Sequence, residues 1–241
     1  MSSIILTQSV PVVVVQASQP NSPVCVDCSS PLEGLTALHV CPRCLHPQPL
    51  KKEESYFEAL GVPQRFCQDP IQLEKRFYEV SRTLHPDRFT HAGSEILQRS
   101  IQRMSFLNEA YRVLKSSAAR RDYMLQLEGV QGSGSSTGSS SQPSKLPMEL
   151  AEAWFEIQDL MFEDQVAAQQ KLGEFERELQ TLKSSLDQKV EVLEKSYDAK
   201  ADQGVYDQTL LLELQEELRR ENYLKSMQRD VDRIKKNAHS N

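Results

Sequence analysis

Asp69-Pro70-Ile71-Gln72-Leu73-Glu74-Lys75-Arg76-Phe77-Tyr78-Glu79-Val80-Ser81-Arg82-Thr83-Leu84-His85-Pro86-Asp87 is the stretch on which the fold of this 241-residue chain turns. Asp69 can cap a helix from its side chain, and Pro70 fits the first helical position, where no amide proton is needed. Leu73, Phe77, Val80 and Leu84 then recur at steps of four, three and four, which places them on one helical face. Lys75 and Arg82 fall nearly opposite that face, and Arg76 lies on its flank. Pro86 closes the helix, and Asp87 is presented as an exposed acid in the loop that follows.

Working outward, the pattern stays helical. A short helix over about Glu53 to Leu60 stops at Gly61, ahead of Val62-Pro63. Beyond the loop, a long helix starts near Ser94 and carries Leu97, Ile101, Met104, Leu107, Tyr111 and Leu114. A last helix of this unit covers about Ala118 to Leu127. Residues 129–144 hold no charge and are almost entirely Gly, Ser, Thr, Gln and Pro, the composition of a flexible linker. Past it, Leu172, Phe175, Leu179, Leu182, Leu186, Val190, Leu193 and Tyr197 step by three or four. A shorter segment with Leu150, Trp154, Ile157 and Met161 precedes this run, and another after Gly204 carries Leu211, Leu214, Leu218, Leu224, Met227, Val231 and Ile234. Three amphipathic segments with short connections predict an antiparallel three-helix bundle. No internal repeat is visible.

Charge divides the chain in the same places. The net charge is −6. Residues 1–50 hold one basic and two acidic side chains, residues 51–128 hold 13 and 11, and residues 145–241 hold 14 and 21. The boundaries follow: a poorly ordered tail over 1–20, a cysteine module over 21–50, a helical unit over 51–128, the linker over 129–144 and the bundle over 145–241. An acidic chain lacks the basic footprint of a nucleic-acid binder. No run approaches the roughly 20 apolar residues that cross a bilayer. The first basic residue is Arg43, so neither a secretory signal nor a mitochondrial presequence is visible, and the expected location is cytoplasmic.

Cys25-Val26-Asp27-Cys28 and Cys41-Pro42-Arg43-Cys44 are two Cys-x-x-Cys knuckles separated by 12 residues. Two residues between cysteines let a tight turn aim both sulfurs at one ion, and two such turns complete a tetrahedral four-thiolate site, which points to structural zinc. So little apolar sequence surrounds them that the metal would supply most of the folding free energy. Two disulfides are the competing chemistry, which a reducing cytoplasm disfavours. His39 and His46 read as spare, and Cys67 as an ordinary thiol. No catalytic residue is expected, because no nucleophile–base pair, phosphate-cradling loop or open metal position is present.

A helix bearing Lys75, Arg76 and Arg82, then His85-Pro86-Asp87, then a long helix with Asn108-Glu109-Ala110-Tyr111, resembles the J-domain of the co-chaperones of DnaK-class ATPases. The resemblance is closer to the HscB family, the iron–sulfur cluster co-chaperones. It is carried by Ser55-Tyr56-Phe57-Glu58-Ala59-Leu60-Gly61, Arg76-Phe77, His85-Pro86-Asp87-Arg88-Phe89 and Arg121-Asp122-Tyr123-Met124-Leu125-Gln126-Leu127-Glu128-Gly129. The fold class is therefore all-α: a helical J-domain hairpin and a C-terminal three-helix bundle, preceded by a small zinc-knuckle module.

The resemblance implies that Lys75, Arg76, Arg82, His85, Pro86 and Asp87 dock on a DnaK/HscA-class ATPase chaperone and trigger its hydrolysis. It also implies that Leu150, Ala151, Trp154, Phe155, Gln158 and Tyr223 bind the scaffold protein on which an iron–sulfur cluster is built. Trp154 and Phe155 are adjacent and cannot both face the bundle centre, which independently marks one as surface. Phe155 and Gln158 stand where the family usually has acidic residues. The linker is longer than the family's short connection, which points to tethering in place of a fixed angle between hairpin and bundle. The alternatives are a J-domain serving another client and a zinc-ribbon nucleic-acid adaptor. Neither nucleic acid nor membrane is expected as a partner.

Overall fold

The computed structural model describes residues 23–32, 39–130 and 148–238. The tail, residues 33–38 of the cysteine module and nearly all of the linker lie outside the described residues. Seven α-helices follow in chain order: α1 (Tyr56–Leu60), α2 (Pro70–Leu84), α3 (Ser94–Lys115), α4 (Ser117–Leu127), α5 (Met148–Glu163), α6 (Gln165–Ala201) and α7 (Gln208–Ala238). A single 3₁₀ turn, Pro86–Phe89, sits between α2 and α3. Among the described residues the only extended pairings are two isolated bridges, Val24 with Pro31 and Val40 with Pro47.

Helix starts follow from local chemistry. Ser55 and Glu58 form a reciprocal capping box at α1, the Glu58 amide donating to the Ser55 hydroxyl at 3.1 Å and the Ser55 amide to the Glu58 carboxylate at 2.7 Å. Asp69 accepts from the amides of Ile71 and Gln72, so Pro70 opens α2 as expected. Gly61 ends α1 at φ 60°, and a β-carbon there would stand 2.5 Å from a guanidinium nitrogen of Arg76. Only glycine satisfies both demands.

Phe57, Leu60, Leu73, Val80, Leu84, Leu107, Leu114 and Met124 form the core of the hairpin unit, closed by α1 and α4. In the bundle, α6 packs against both α5 and α7 through the apolar stripe that the spacing predicted. One expected stripe is corrected. Ile101 is exposed, and the buried residues in the first half of α3 are Arg99, Ser100 and Arg103. The cysteine module, with polar acceptors, covers that face.

The hairpin and the bundle do not merely hang from the linker. Phe66, in the loop before α2, is buried with its ring edge-on to Tyr197 of α6 at 5.3 Å. The amides of Phe66 and Cys67 donate to the two carboxylate oxygens of Asp198 at 2.9 and 2.8 Å. Arg121 of α4 donates through Nε to Glu194 at 2.5 Å and through Nη2 to its other oxygen at 3.3 Å. Both acids are buried. The expectation of loose tethering is therefore corrected: a linker's length limits reach, but a built interface sets the orientation.

Candidate functional site

The outward face of α2 carries Ile71, Lys75, Tyr78 and Arg82 in register, all exposed. At 100° per residue these four lie within about 60° of arc, one narrow stripe that leads to the His85-Pro86-Asp87 loop. Lys75 and Arg82 form no ion pair among the described residues. Arg76 differs from the expected docking role. It donates to the Leu60 carbonyl at 3.3 Å and to Glu79 at 2.9 Å, which fixes the corner between α1 and α2. Ile71 and Tyr78 were not among the expected site residues, although their i, i+7 spacing shows the stripe.

At the tip, the Asp87 side chain is 86% exposed and lies 3.5 Å from His85 Nδ1. The Asp87 amide also donates to that nitrogen at 3.4 Å. The loop is anchored from below. Phe89 is buried, and the Ser100 hydroxyl of α3 donates to the Leu84 carbonyl at 2.6 Å, just ahead of His85. An anchored base thus presents an exposed carboxylate beside a cationic stripe, an arrangement that suits a charge-assisted contact with a cationic group.

The four cysteines converge. Their sulfurs all lie within 4.8 Å of one another, with Cys25 to Cys44 at 3.6 Å and Cys28 to Cys41 at 3.7 Å. A tetrahedral ion with metal–sulfur bonds of about 2.3 Å has sulfurs about 3.8 Å apart, so the cage fits a metal ion. The two knuckles repeat one backbone plan 16 residues apart, matching the letters Val-Cys-x-x-Cys-x-x-Pro at 24–31 and 40–47. In each, the residue after the second cysteine (Ser29, Leu45) takes positive φ, and its amide donates back to the first cysteine's carbonyl. The amides of Asp27 and Arg43 point at Cys25 and Cys41 sulfur, and Gln48 Nε2 donates to Cys25 at 3.3 Å. The Ser30 hydroxyl lies 3.0 Å from Cys28 sulfur and lowers that thiol's pKa. These donors favour thiolates, the ligating form. Cys67 lies apart, exposed, its thiol pushed up by burial and by the Asp198 charge.

Neither histidine is needed by the four-sulfur cage. His46 Nδ1 lies 3.3 Å from an Asp27 carboxylate oxygen. His39 is buried and pushed down to about 4 by burial and by the Arg103 charge, so it stays neutral and accepts from Arg103 at 3.0 Å.

On the bundle, the α5 residues expected to bind a scaffold divide between two faces. Leu150 is in the core, and Trp154 is half-buried with its ring 5.5 Å from Phe175. Phe155 is 64% exposed, Gln158 is exposed, and Ala151 is partly covered. Phe155 is the partner of the Trp154–Phe155 pair that faces outward. Phe162, 92% exposed and one heptad beyond Phe155, extends this face. Sequence reasoning passed over it, although the i, i+7 spacing carried the signal. Tyr223 of α7 is also exposed.

No protein-family model matches the chain. The co-chaperone protein HscB of Proteus mirabilis is 41% identical over 75 residues, which cover 31% of this chain and 43% of that protein. An HscB homolog of Vibrio parahaemolyticus is 31% identical over 106 residues, or 44% of this chain and 61% of that one. Over these residues the chain is similar to HscB co-chaperones. The chain spans about half the length of the curated relatives it matches. The crystal structure of human co-chaperone protein HscB superposes with a TM-score of 0.57 at 20% identity, covering 88% of this chain and 98% of that one, a likeness of fold. No helix among the described residues is long and apolar enough to cross a membrane.

Proposed function

We propose that this chain is a cytoplasmic co-chaperone of iron–sulfur cluster assembly. It stimulates ATP hydrolysis by a DnaK/HscA-class chaperone and brings that chaperone the scaffold protein on which the cluster is built. The observation that carries the reading is Asp87. Its carboxylate is exposed at the tip of a loop anchored by Ser100 and Phe89, beside the stripe of Ile71, Lys75, Tyr78 and Arg82, in a unit similar to HscB co-chaperones. The cation stripe steers and orients docking, and Asp87 makes the decisive contact. The chain triggers the partner's chemistry and performs none of its own. Zinc fills the four-thiolate cage, where a closed coordination shell leaves no position for catalysis.

The client arm is the outward face of α5, with Phe155 and Phe162 as apolar anchors and Trp154 beneath them. Tyr223 completes the set from α7. Two measurements test the two arms. Asp87→Asn in the full chain is expected to abolish stimulation of the chaperone's ATPase with an unchanged circular dichroism spectrum. Phe155→Ala is expected to weaken calorimetric binding of the full chain to the cluster scaffold at least tenfold, on the order of 1.4 kcal/mol. Full stimulation by Asp87→Asn contradicts the mechanism. Unaltered scaffold binding by both Phe155→Ala and Phe162→Ala moves the client elsewhere and favours a J-domain serving another substrate.

A further inference from the structure

The first half of α3 has an unusual way of being buried. From Ser94 to Arg103 its buried residues are Arg99, Ser100 and Arg103, and the first fully buried apolar side chain of α3 is Leu107. Gly93, at the N-cap position, offers no side-chain cap. This stretch of helix is therefore held from outside, by the cysteine module.

The two arginines make the joint. Arg99 donates from both terminal nitrogens to the two oxygens of Asp27, at 3.0 and 2.8 Å, and to the Pro47 carbonyl at 3.2 Å. Asp27 lies inside the first Cys-x-x-Cys turn, so its position depends on the turn that the sulfurs close. Arg103 is 2% exposed. It donates to the carbonyls of Gln48 and Pro49, to both oxygens of Glu54 and to His39. Between them stands Ser100, whose hydroxyl holds the Leu84 carbonyl at the root of the His85-Pro86-Asp87 loop.

All the donors of Arg103 and both terminal nitrogens of Arg99 are spent on acceptors outside α3, so each guanidinium is fixed only while those acceptors are fixed. Gln48, which gives Arg103 its carbonyl, also donates its side-chain amide to Cys25 sulfur. Little apolar packing orders the module, so the ion in the cage is what holds the acceptors in place.

We propose that the four-cysteine module is a metal-dependent brace on the J-domain, with Arg99 and Arg103 as positioning residues that transmit its order to the loop carrying Asp87. Zinc in the cage orders Asp27, Pro47, Gln48 and Pro49. These hold Arg99 and Arg103, the arginines hold the front of α3, and Ser100 then holds the loop. Loss of the metal releases the loop without touching any residue of it. The functional consequence rests on the reading that this loop is the working surface; the structural coupling does not.

The test is amide hydrogen exchange on the full chain, zinc-loaded and stripped by a chelator, with no chaperone present. Stripping is expected to cost residues 97–104 and 87–90 at least about tenfold in protection, while α6 and α7 keep theirs. Two zinc-loaded variants guard against a general loss of structure. Arg103→Lys keeps the charge but not the fork, and Asp27→Asn leaves α3 unaltered. Both are expected to reproduce the loss at 97–104 and 87–90. Protection there that is unchanged by stripping, or wild-type protection in both variants, overturns the proposal. The Asp87→Asn protein separates the two questions. It should exchange like wild type, so its failure to stimulate reports on docking and not on the brace.

Discussion

From Ser94 to Arg103, α3 is held by two arginines and a serine, whereas from Leu107 to Leu114 it is held by Leu107, Ala110, Val113 and Leu114. The back half buys stability from apolar area, which needs no partner outside the helical unit. The front half depends on directed hydrogen bonds to the four-cysteine module, which the proposed brace has a metal ion order. The loop bearing Asp87 is tied to the front half. A device that must answer to conditions is better mounted on the directional end than on the apolar one, because a hydrogen-bonded joint opens without dissolving a core.

The two halves should respond to mutation in different ways. Arg103→Ala leaves His39, two carbonyls and one oxygen of Glu54 without a donor, and about 3–5 kcal/mol of stability is expected to go, read by urea unfolding of the zinc-loaded chain. Leu107→Ala at the head of the apolar half is expected to cost about 2–5 kcal/mol, but with no dependence on zinc. If the two variants show the same zinc dependence, the distinction between the halves collapses.

The junction with the bundle offers a third case, directional but independent of metal. Asp198→Ala strands the Phe66 and Cys67 amides, and a loss of about 1–3 kcal/mol is expected with the zinc response intact. The smallest effect belongs to Ile101→Ala, within about 0.5 kcal/mol, because that side chain already faces water. A cost of several kcal/mol there would mean that the apolar stripe runs the whole length of α3 after all.

What could be read from the sequence was whatever is decided locally. Asp69-Pro70 announces a helix start, the two Cys-x-x-Cys pairs announce a cage, and the spacing of Leu172 to Tyr197 announces one long bundle helix. Each depends on neighbours within a turn or two. Arg99 and Arg103 escaped because every hydrogen-bond partner of their side chains lies at least 49 positions away, and three of those partners are backbone carbonyls, which no letter marks. They even lie on the stripe that continues back from Leu107, so a rule that expects apolar residues there selects Ile101 and Met104 instead. Asp198 escaped for a related reason: it caps amides 131 and 132 positions away, and nothing in its own surroundings points to them. The structural contact of Arg76 was not legible either, since a cation on a helix flank looks the same whether or not it also donates to the Leu60 carbonyl.

The central claim is that an exposed carboxylate at position 87, held on an anchored loop, triggers another protein's ATPase. Single-turnover ATP hydrolysis by a DnaK-class chaperone, with the zinc-loaded full chain as wild type and as Asp87→Asn, tests it most directly. The account predicts stimulation by the wild type and none by the variant, at equal unfolding midpoints. Equal stimulation by both, or none by either with every DnaK-class chaperone of the same cell, would contradict it.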